Sequence, residues 1–236
     1  MKTISRYKIA PEFHRIPHLN KEISKATHDD IVLDEAIKFP LECYVQEKID
    51  GANMGVSFND GPILRNREHI LNKGYSKIRT NAKKQFTSAW NWLHKHENDI
   101  RNIEKIWQTP ITIYGDWMFY QHSLYYDILP DLYIAYDIWS VADNKYLAPN
   151  VVENLLNKTG ISYIGHVKIT FNSIEEIINF SEKNSDFRKG IREGIVIKTV
   201  EGDFLKETFK VVNRHFLLRD DFNTTDPIKN KIKSLT

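Results

Sequence analysis

The heptapeptide EKIDGAN, at residues 47–53, joins two β-prone runs through a tight turn. Lys48 ends an apolar run that includes residues 43–45, and the turn pair Asp50-Gly51 follows at once. A lysine in this place points from a sheet edge into the space above it. A short match of this kind also arises by chance and then describes an ordinary hairpin turn with a solvated lysine. The rest of the chain decides whether Lys48 is a solvated lysine in a turn or a reactive lysine in a functional site.

The composition is that of an ordinary globular protein. The chain has 236 residues, of which 41% are hydrophobic and 27% charged, and its net charge is +2. Any contact with nucleic acid must therefore come from a local basic patch. Cys43 is the single cysteine, which excludes an internal disulfide and a cysteine-rich zinc site. Residues 1–11 contain no continuous apolar block, so we expect neither a signal peptide nor a membrane anchor, and a cytoplasmic location.

The first half of the chain predicts strands and then a long helix. Strands are expected over residues 41–48, 53–58 and 63–66, and the spacing of Arg65 and Arg67 would put both guanidinium groups on one face. Apolar residues then recur at helical spacing over residues 76–107, with a polar break at 96–99. The basic residues opposite this stripe are a possible contact surface for a nucleic-acid backbone: Lys77, Arg79, Lys83 and Lys84.

The second half alternates scaffold with charged strand ends. Buried strands are expected over residues 111–116 and 132–139, so Asp116 and Asp137 need an arginine, a backbone cap or a metal as partner. Helices should begin at Asn150 and after Ser173, with a strand over residues 163–170 between them. Alternation along the last strand predicts Lys206 and Lys210 on one face. We expect one domain over residues 1–225, followed by a frayed basic tail over residues 226–236 that carries Lys229, Lys231 and Lys233.

The unusual polar residues share a position at or beside a strand end. They supply cations for phosphates, carboxylates for a divalent metal and an aromatic face for a base, which is what a nucleoside triphosphate requires. They are Lys48, Arg65, Asp116, Tyr136, Glu193, Lys198, Lys206 and Lys210.

The order of these residues resembles the motifs of the covalent nucleotidyltransferases, the superfamily of ATP-dependent DNA and RNA ligases and messenger-RNA capping guanylyltransferases. Its first motif, Lys-x-Asp-Gly, matches residues 48–51, and its Glu-Gly-hydrophobic-hydrophobic-x-Lys motif matches residues 193–198 without a gap. The motif arginine is matched by Arg65, with Arg67 as the alternative. The remaining motifs correspond to residues 114–116, to the aromatic-Asp pair 136–137 and to the lysine-bearing strand 209–213.

The resemblance implies an α+β fold, a DNA-ligase-type, ATP-grasp-like nucleotidyltransferase domain of antiparallel sheets flanked by helices. It implies that ATP with Mg²⁺ or Mn²⁺ serves as cofactor and that Lys48 takes up AMP covalently. Asp116 and Glu193 would also bind the metal. The residues expected to bind the nucleotide are Gln46, Glu47, Asn53, Arg65, Asp116, Tyr136, Glu193, Lys198, Lys206 and Lys210.

Asn53 makes the first motif more similar to the nick-sealing RNA ligases of the RNA ligase 2 type than to DNA ligases. The expected partner is therefore RNA with 5′-phosphate and 3′-hydroxyl ends. The chain ends soon after residue 213, so we expect no OB-fold or helical C-terminal domain, and a partner protein could replace it. A capping guanylyltransferase, a DNA nick ligase and a non-catalytic nucleotide or RNA-end binding module remain alternatives.

The resemblance departs from the family pattern in two motifs. Asp116 stands where glutamate is usual and is one methylene shorter. Val212 stands where a second lysine is common, which leaves that charge to Lys210, with Lys206 as a further candidate. We further expect Arg65, Lys198 and Lys210, together with a divalent metal, to lower the pKa of Lys48 so that its amine can attack phosphorus.

Overall fold

The computed structural model describes residues 16–19, 24, 31–32, 37–58, 61–67, 69–71, 85–213, 216 and 227–233. Ten strands and four helices lie within these ranges, which confirms the expected α+β class. In chain order they are β1 Leu41–Lys48, β2 Ala52–Phe58, β3 Pro62–Asn66, β4 His69–Leu71, α1 Ala89–Lys95, α2 Glu97–Trp107, β5 Ile111–Trp117, β6 Tyr133–Ser140, β7 Lys145–Tyr146, α3 Pro149–Leu156, β8 His166–Phe171, α4 Ile174–Ser181, β9 Gly194–Glu201 and β10 Phe204–Val212.

The strands form two antiparallel sheets. The first sheet has the order β10-β9-β1-β8, and the second has the order β4-β3-β2-β5-β6-β7. β1 and β2 follow one another in the chain but belong to different sheets, so the turn at residues 49–51 crosses from one sheet to the other. The heptapeptide therefore lies where the two sheets meet.

Each sheet buries its outer face under helices. The second sheet packs its apolar residues against Leu93, Ile100, Ile103 and Leu155 of α1, α2 and α3. The first sheet packs Val45, Ile195 and Ile197 against Ile177 of α4. Burial of these apolar side chains is the main stabilising contribution, at about 1.5–3 kcal/mol for each fully buried large residue. None of the helices in the described ranges is long and apolar enough to cross a membrane.

The predicted helix over residues 76–107 is only partly present. Residues 76–84 lie outside the described residues, and residues 85–88 form turns. The break falls at His96, which ends α1 and precedes α2, and Glu97 and Asp99 occupy the first turn of α2. Acidic side chains are favourable there because they face the positive end of the helix dipole, so the polar residues begin a helix instead of interrupting one.

Other local predictions were confirmed with shifted ends. Ser173 caps α4, since its side chain accepts a hydrogen bond from the backbone N–H of Glu176 at 3.3 Å. β8 begins at His166 and not at Tyr163, whose backbone instead belongs to an isolated bridge with Ala135 of the second sheet. The short strand β4 was not predicted from the sequence.

The predicted frayed tail is wrong for residues 227–233. This segment hydrogen-bonds through its main chain to residues 119–129, for example from the Lys231 N–H to the Tyr126 carbonyl at 2.8 Å. Asn230 is buried, with 7% of its surface exposed. The alternation of lysines with other residues gave no sign of this, because the partner is a loop far away in the sequence.

Candidate active site

One face of the first sheet is directed at the second sheet. Lys198 on β9 is 1% exposed, and its Nζ lies 2.7 Å from the Asp137 Oδ1 on β6 of the second sheet. Lys198 pairs with Tyr44, and further along the same ladder Lys48 pairs with Gly194. Paired residues and alternate residues of antiparallel strands point to the same side. Lys48 therefore lies on the same face as Lys198. We call this face of the first sheet, which is directed at the second sheet, the inner face.

The same register adds two predicted residues to the inner face. Gln46 and Lys210 both pair with Val196, two residues before Lys198. Gln46 accepts a hydrogen bond from the Lys198 ammonium and donates to the Ile164 carbonyl at 3.0 Å. The pairing of β1, β9 and β10 thus brings together Gln46, Lys48, Lys198 and Lys210.

Lys48 is paired with Glu193 at the end of the sheet. Its Nζ lies 2.5 Å from the Glu193 Oε1, and the two side chains are 23% and 6% exposed. Gly194, which follows Glu193, has no room for a side chain, because a Cβ there would lie 2.1 Å from the Val211 carbonyl oxygen on β10. The glycine after Glu193 is therefore needed for the close packing of β9 on β10.

The second sheet contributes another group of polar residues. Asn53 pairs directly with Asp116, while Gly55 pairs with both Arg65 and Tyr114. These pairings place Asn53, Asp116 and Arg65 on one side of the sheet. The Asp116 side chain lies beside the turn after Lys48, since a Cβ on Gly51 would be 2.8 Å from the Asp116 Cβ. The Asp116 carboxylate raises the pKa of Lys48.

A β-bulge directs Tyr136 and Asp137 into the same space. The ladder between β5 and β6 passes from Tyr114–Asp137 to Gly115–Ala135, so Tyr136 is the extra residue. A bulge re-aims the side chains beside it. The Asn53 amide donates to the Tyr136 hydroxyl at 2.5 Å, and Asp137 binds Lys198. Asp137 thus has a partner as expected, but a lysine and not an arginine, a cap or a metal.

The turn after Lys48 is fixed by a loop of the second sheet. The backbone N–H of Asp50 donates to the Tyr126 hydroxyl at 2.8 Å. The Asp50 Oδ2 accepts from the backbone N–H groups of Ser123 at 2.7 Å and Leu124 at 3.3 Å. Gly51 leaves room for this arrangement, since a Cβ there would lie 2.4 Å from the Met118 sulfur.

The electrostatics around Lys48 differ from the expectation. Burial lowers the pKa of Lys48, but the carboxylates of Glu193, Asp50 and Asp116 outweigh burial and raise it above its ordinary value of 10.5. The prediction that Arg65, Lys198 and Lys210 lower the pKa of Lys48 is therefore wrong for the protein without ligands, and the lowering expected with a divalent metal stays a prediction. The physical reason is that acidic groups surround the ammonium, whereas Lys198 is bound to Asp137 and Gln46.

The two predicted metal ligands are strongly perturbed. Burial raises the pKa of Asp116 from 3.8 to about 7, although Lys48 lowers it. Burial likewise raises the pKa of Glu193 from 4.5 to about 7 against the lowering effect of Lys48. Carboxylates that are buried close to one another favour protonation or a bound cation.

A divalent cation fits these two carboxylates. Glu193 Oε2 is buried and has no hydrogen-bond partner among the described residues, and oxygen atoms are the ligands that Mg²⁺ and Mn²⁺ prefer. Within the same part of the chain, no three His, Cys, Asp or Glu side chains are grouped to hold a metal by themselves. Asp116 and Glu193 therefore fit a site that takes its remaining ligands from water or from a bound phosphate, as Mg²⁺ sites commonly do.

Glu47 is not brought together with the other predicted residues. It alternates with Gln46 and Lys48 and so points to the outer face of the first sheet. There its Oε1 accepts a hydrogen bond from the Ser185 hydroxyl at 2.5 Å, and its Oε2 accepts from the Asp186 N–H at 2.8 Å. Its side chain holds residues 185–186, which precede Glu193 in the chain.

Two inferences from strand alternation fail locally. β3 ends at Asn66, and Arg67 has a φ of 47°, so alternation along the strand does not extend to Arg67. Arg65 instead donates to the Arg67 carbonyl at 3.1 and 3.0 Å. On β10 the register with β9 shifts between Leu205 and Glu207, so alternation does not relate the exposed Lys206 to Lys210.

Sequence reasoning missed the residues that hold the site in place. Tyr126 binds Asp50, and Ser185 binds Glu47 on the other side of Lys48. Asn230 binds the loop that carries Tyr126. All three act over more than 70 residues of sequence, as between Asp50 and Tyr126, which are 76 residues apart. No local signal in the chain could have identified them.

The model of one protein family, described as RNA ligase, matches residues 41–212. This stretch contains both sheets and every residue predicted to bind the nucleotide. The chain therefore belongs to the RNA ligase family. A search of curated proteins gives no significant match.

Solved structures of an RNA ligase from Naegleria gruberi have the same fold. A point mutant without ligand aligns with a TM-score of 0.53 at 18% identity, covering 74% of this chain and 50% of that one. A mutant with AMP and Mn aligns at 0.56 and 15% identity, covering 87% and 56%. A mutant with ATP and Mn aligns at 0.55 and 14% identity, covering 87% and 60%. The present chain thus spans only about half the length of these ligases.

Proposed function

We propose that this protein is an ATP-dependent RNA ligase-type nucleotidyltransferase that forms a covalent lysyl-AMP at Lys48. The observation that carries this proposal is the position of Lys48 against Glu193, on the inner face that also carries Lys198 and Lys210. Membership of the RNA ligase family supports it, as does the fold shared with a ligase whose structures contain ATP or AMP with Mn.

The chain's own residues would divide the work around ATP. Tyr136 offers an aromatic face for the base, and Asn53 fixes its hydroxyl. Lys198 and Lys210 supply positive charge for the phosphates. Asn53 and Arg65 lie on the same side of the second sheet and would contact the ribose and phosphates. Gln46, on the inner face, holds the Lys198 ammonium and so sets its position.

Lys48 must lose a proton before it can attack. The surrounding carboxylates hold the amine in its charged form when no ligand is bound. A divalent cation bound to Asp116 and Glu193 would offset their negative charge, lower the pKa of Lys48 and stabilise charge on the phosphate oxygens. The proton would then leave to water and the lone pair of Nζ would become available.

The covalent step is a substitution at the α-phosphorus of ATP. Lys48 Nζ forms a bond to the α-phosphorus of ATP, and the bond from that phosphorus to the bridging oxygen breaks. The electron pair leaves with pyrophosphate. The AMP then passes from Lys48 to the 5′-phosphate of an RNA end, and a neighbouring 3′-hydroxyl displaces AMP to seal the strand.

Adenylation is tested directly with α-labelled ATP and Mg²⁺ or Mn²⁺. We expect label on the wild-type protein and none on Lys48→Ala, while Lys38→Ala, a lysine outside the site, labels like the wild type. Absence of label on the wild type, or equal label on Lys48→Ala, contradicts the proposal. Preferential label from GTP would instead favour a capping-type guanylyltransferase, and binding of ATP without covalent label a non-catalytic module.

Sealing needs a second assay with nicked duplexes. We expect a nick in RNA with 5′-phosphate and 3′-hydroxyl ends to be joined faster than the same nick in DNA; the reverse order would favour a DNA ligase. The RNA would be held by the exposed Lys229, Lys231 and Lys233, by the basic residues near Lys77, or by a partner protein. Replacing the three C-terminal lysines with alanine should then weaken salt-sensitive binding of nicked RNA.

A further inference from the structure

Residues 227–233, the C-terminal segment, are bound along residues 118–132, the aromatic loop. The Gln121 N–H donates to the Ile228 carbonyl at 2.8 Å, the Lys231 N–H to the Tyr126 carbonyl at 2.8 Å, and the Lys233 N–H to the Leu129 carbonyl at 2.8 Å. These main-chain bonds span most of the aromatic loop. The C-terminal segment therefore limits the conformations that the loop can adopt.

Asn230 is the buried centre of this contact. Its Oδ1 accepts from the Tyr126 N–H at 2.9 Å, and its Nδ2 donates to the Met118 and Tyr120 carbonyls at 3.0 Å each. A side-chain amide offers one acceptor and two donors, and here all of these roles are used on backbone groups of a single loop. A buried backbone group that loses such a partner is left without a hydrogen bond, which is unfavourable.

The aromatic loop in turn fixes the turn after Lys48. Tyr126, whose N–H binds Asn230, accepts the Asp50 N–H with its hydroxyl at 2.8 Å. Ser123 and Leu124 of the same loop donate to the Asp50 carboxylate. A continuous chain of hydrogen bonds therefore joins Asn230 to the backbone two residues after Lys48.

We propose that Asn230 is a positioning residue that holds Lys48 in its reactive place through the aromatic loop and Asp50. This inference rests on the proposed adenylation. It assigns a part in the chemistry to a residue that lies beyond the sequence matched by the family model, which ends at residue 212. A residue that only stabilised the fold would change the melting temperature without changing the reaction of the folded protein.

The first test compares single-turnover adenylation of three variants at a temperature where all are folded. Asn230→Ala removes all three bonds, and Asn230→Asp keeps the acceptor while losing both donors. We expect both to lower the rate constant at saturating ATP by about tenfold, because the Lys48 amine is no longer held in its reactive position. The ATP concentration at half-saturation should change little. The control Ile228→Ala changes an exposed side chain of the same segment and should react like the wild type.

A double-mutant cycle tests the route. Tyr126→Phe removes only the hydroxyl that accepts the Asp50 N–H. If Asn230 acts through this contact, the variant carrying both Tyr126→Phe and Asn230→Ala reacts about as slowly as Asn230→Ala alone. The reason is that Asn230→Ala has already disrupted the contact between Tyr126 and Asp50 that Tyr126→Phe removes. Multiplied rate losses, or an Asn230→Ala protein that labels at the wild-type rate, overturn the inference.

Hydrogen exchange keeps this test separate from the proposed function. In Asn230→Ala, and not in Ile228→Ala, we expect faster amide exchange in peptides that contain residues 118–130 and residues 49–51. Unchanged exchange at residues 49–51 overturns the inference even if adenylation is slow. If the wild-type protein forms no adduct, the proposed function fails and positioning for adenylation fails with it, whereas the exchange result still decides whether Asn230 controls the turn.

Discussion

The Lys198 ammonium lies 2.7 Å from the Asp137 carboxylate, and this buried pair joins the two sheets of the protein. Lys198 also donates to Gln46 and, at 3.2 Å, to the Tyr136 carbonyl, so all of the ammonium's donors are used. Because β9 and β6 come from different sheets, the pair fixes the inner face of one sheet against the other. The separation of Lys48 on the first sheet from Asp116 on the second depends on that alignment.

We expect Asp137→Ala to destabilise the protein strongly, because it leaves the Lys198 charge buried without its carboxylate. Removing one partner of a buried pair typically costs about 3–5 kcal/mol. Urea denaturation should show this as a lower midpoint with an unchanged slope. A loss below about 1 kcal/mol would mean that water reaches the Lys198 ammonium.

The double variant Lys198→Met with Asp137→Leu separates stability from activity. Apolar residues of similar volume often replace a buried pair without loss, so we expect most of the free energy of unfolding to return. Covalent labelling with ATP should not return, because the positive charge that Lys198 is proposed to supply near the phosphates is missing. A double variant that labels at the wild-type rate would remove Lys198 from the proposed site.

The pKa of Glu193 predicts a pH dependence of stability. Burial raises this pKa from 4.5 to about 7 in the folded protein. The folded state then binds the proton more tightly than the unfolded chain, so this group makes the protein less stable as pH rises from 4.5 to 7. Glu193→Gln removes the effect, and relative to the wild type it should gain about 2 kcal/mol between pH 5 and pH 7.5.

The control for this experiment is Glu42→Gln. Lys168 lowers the pKa of the exposed Glu42 carboxyl, so that group titrates below 4.5 and its stabilising contribution is lost only as pH falls further. Between pH 5 and pH 7.5 the Glu42→Gln variant should therefore follow the wild type. Denaturation curves of Glu193→Gln that parallel the wild type across this range would show that Glu193 titrates normally.

Gly194→Ala should disrupt the strand that follows Glu193. The added Cβ would lie 2.1 Å from the Val211 carbonyl oxygen, so β9 and β10 must separate. We expect a loss of about 3 kcal/mol in the free energy of unfolding, at the upper end of the cost of overpacking. Gly165→Ala is the matched control because no atom lies within 4 Å of its added Cβ, and it should change stability by less than about 0.5 kcal/mol.

Tyr136 tests the proposed base contact. Tyr136→Ala removes the aromatic face and should raise the ATP concentration at half-maximal adenylation by about tenfold or more, since stacking on a base contributes about 1–3 kcal/mol. Tyr136→Phe loses only the hydroxyl that binds Asn53 and should raise it by less than about threefold. Equal effects of the two substitutions would mean that the hydroxyl, and not the ring, is used.

The sequence by itself determined the class of fold and most of the inner face. The strands around residues 47–53 and 193–198 follow from apolar runs, turn residues and two motifs that describe local backbone geometry. Gln46, Lys48, Lys198 and Lys210 share a face because the side-chain period of a strand is two, so a correct register brings them together. These are properties of short stretches, and short stretches can be interpreted from sequence alone.

Only the tertiary structure decided the charge state of Lys48 and the residues that hold it. Its pKa depends on Glu193, 145 residues away in the chain, and on Asp116. The cations inferred from the order of the motifs therefore predicted a shift of this pKa in the wrong direction for the protein without ligands. The side of the sheet on which Asp137 lies depends on a bulge at Tyr136, and Asn230 docks on a loop 104 residues before it. Electrostatic and hydrogen-bond energies act through space over a few ångströms, and sequence separation does not encode those distances.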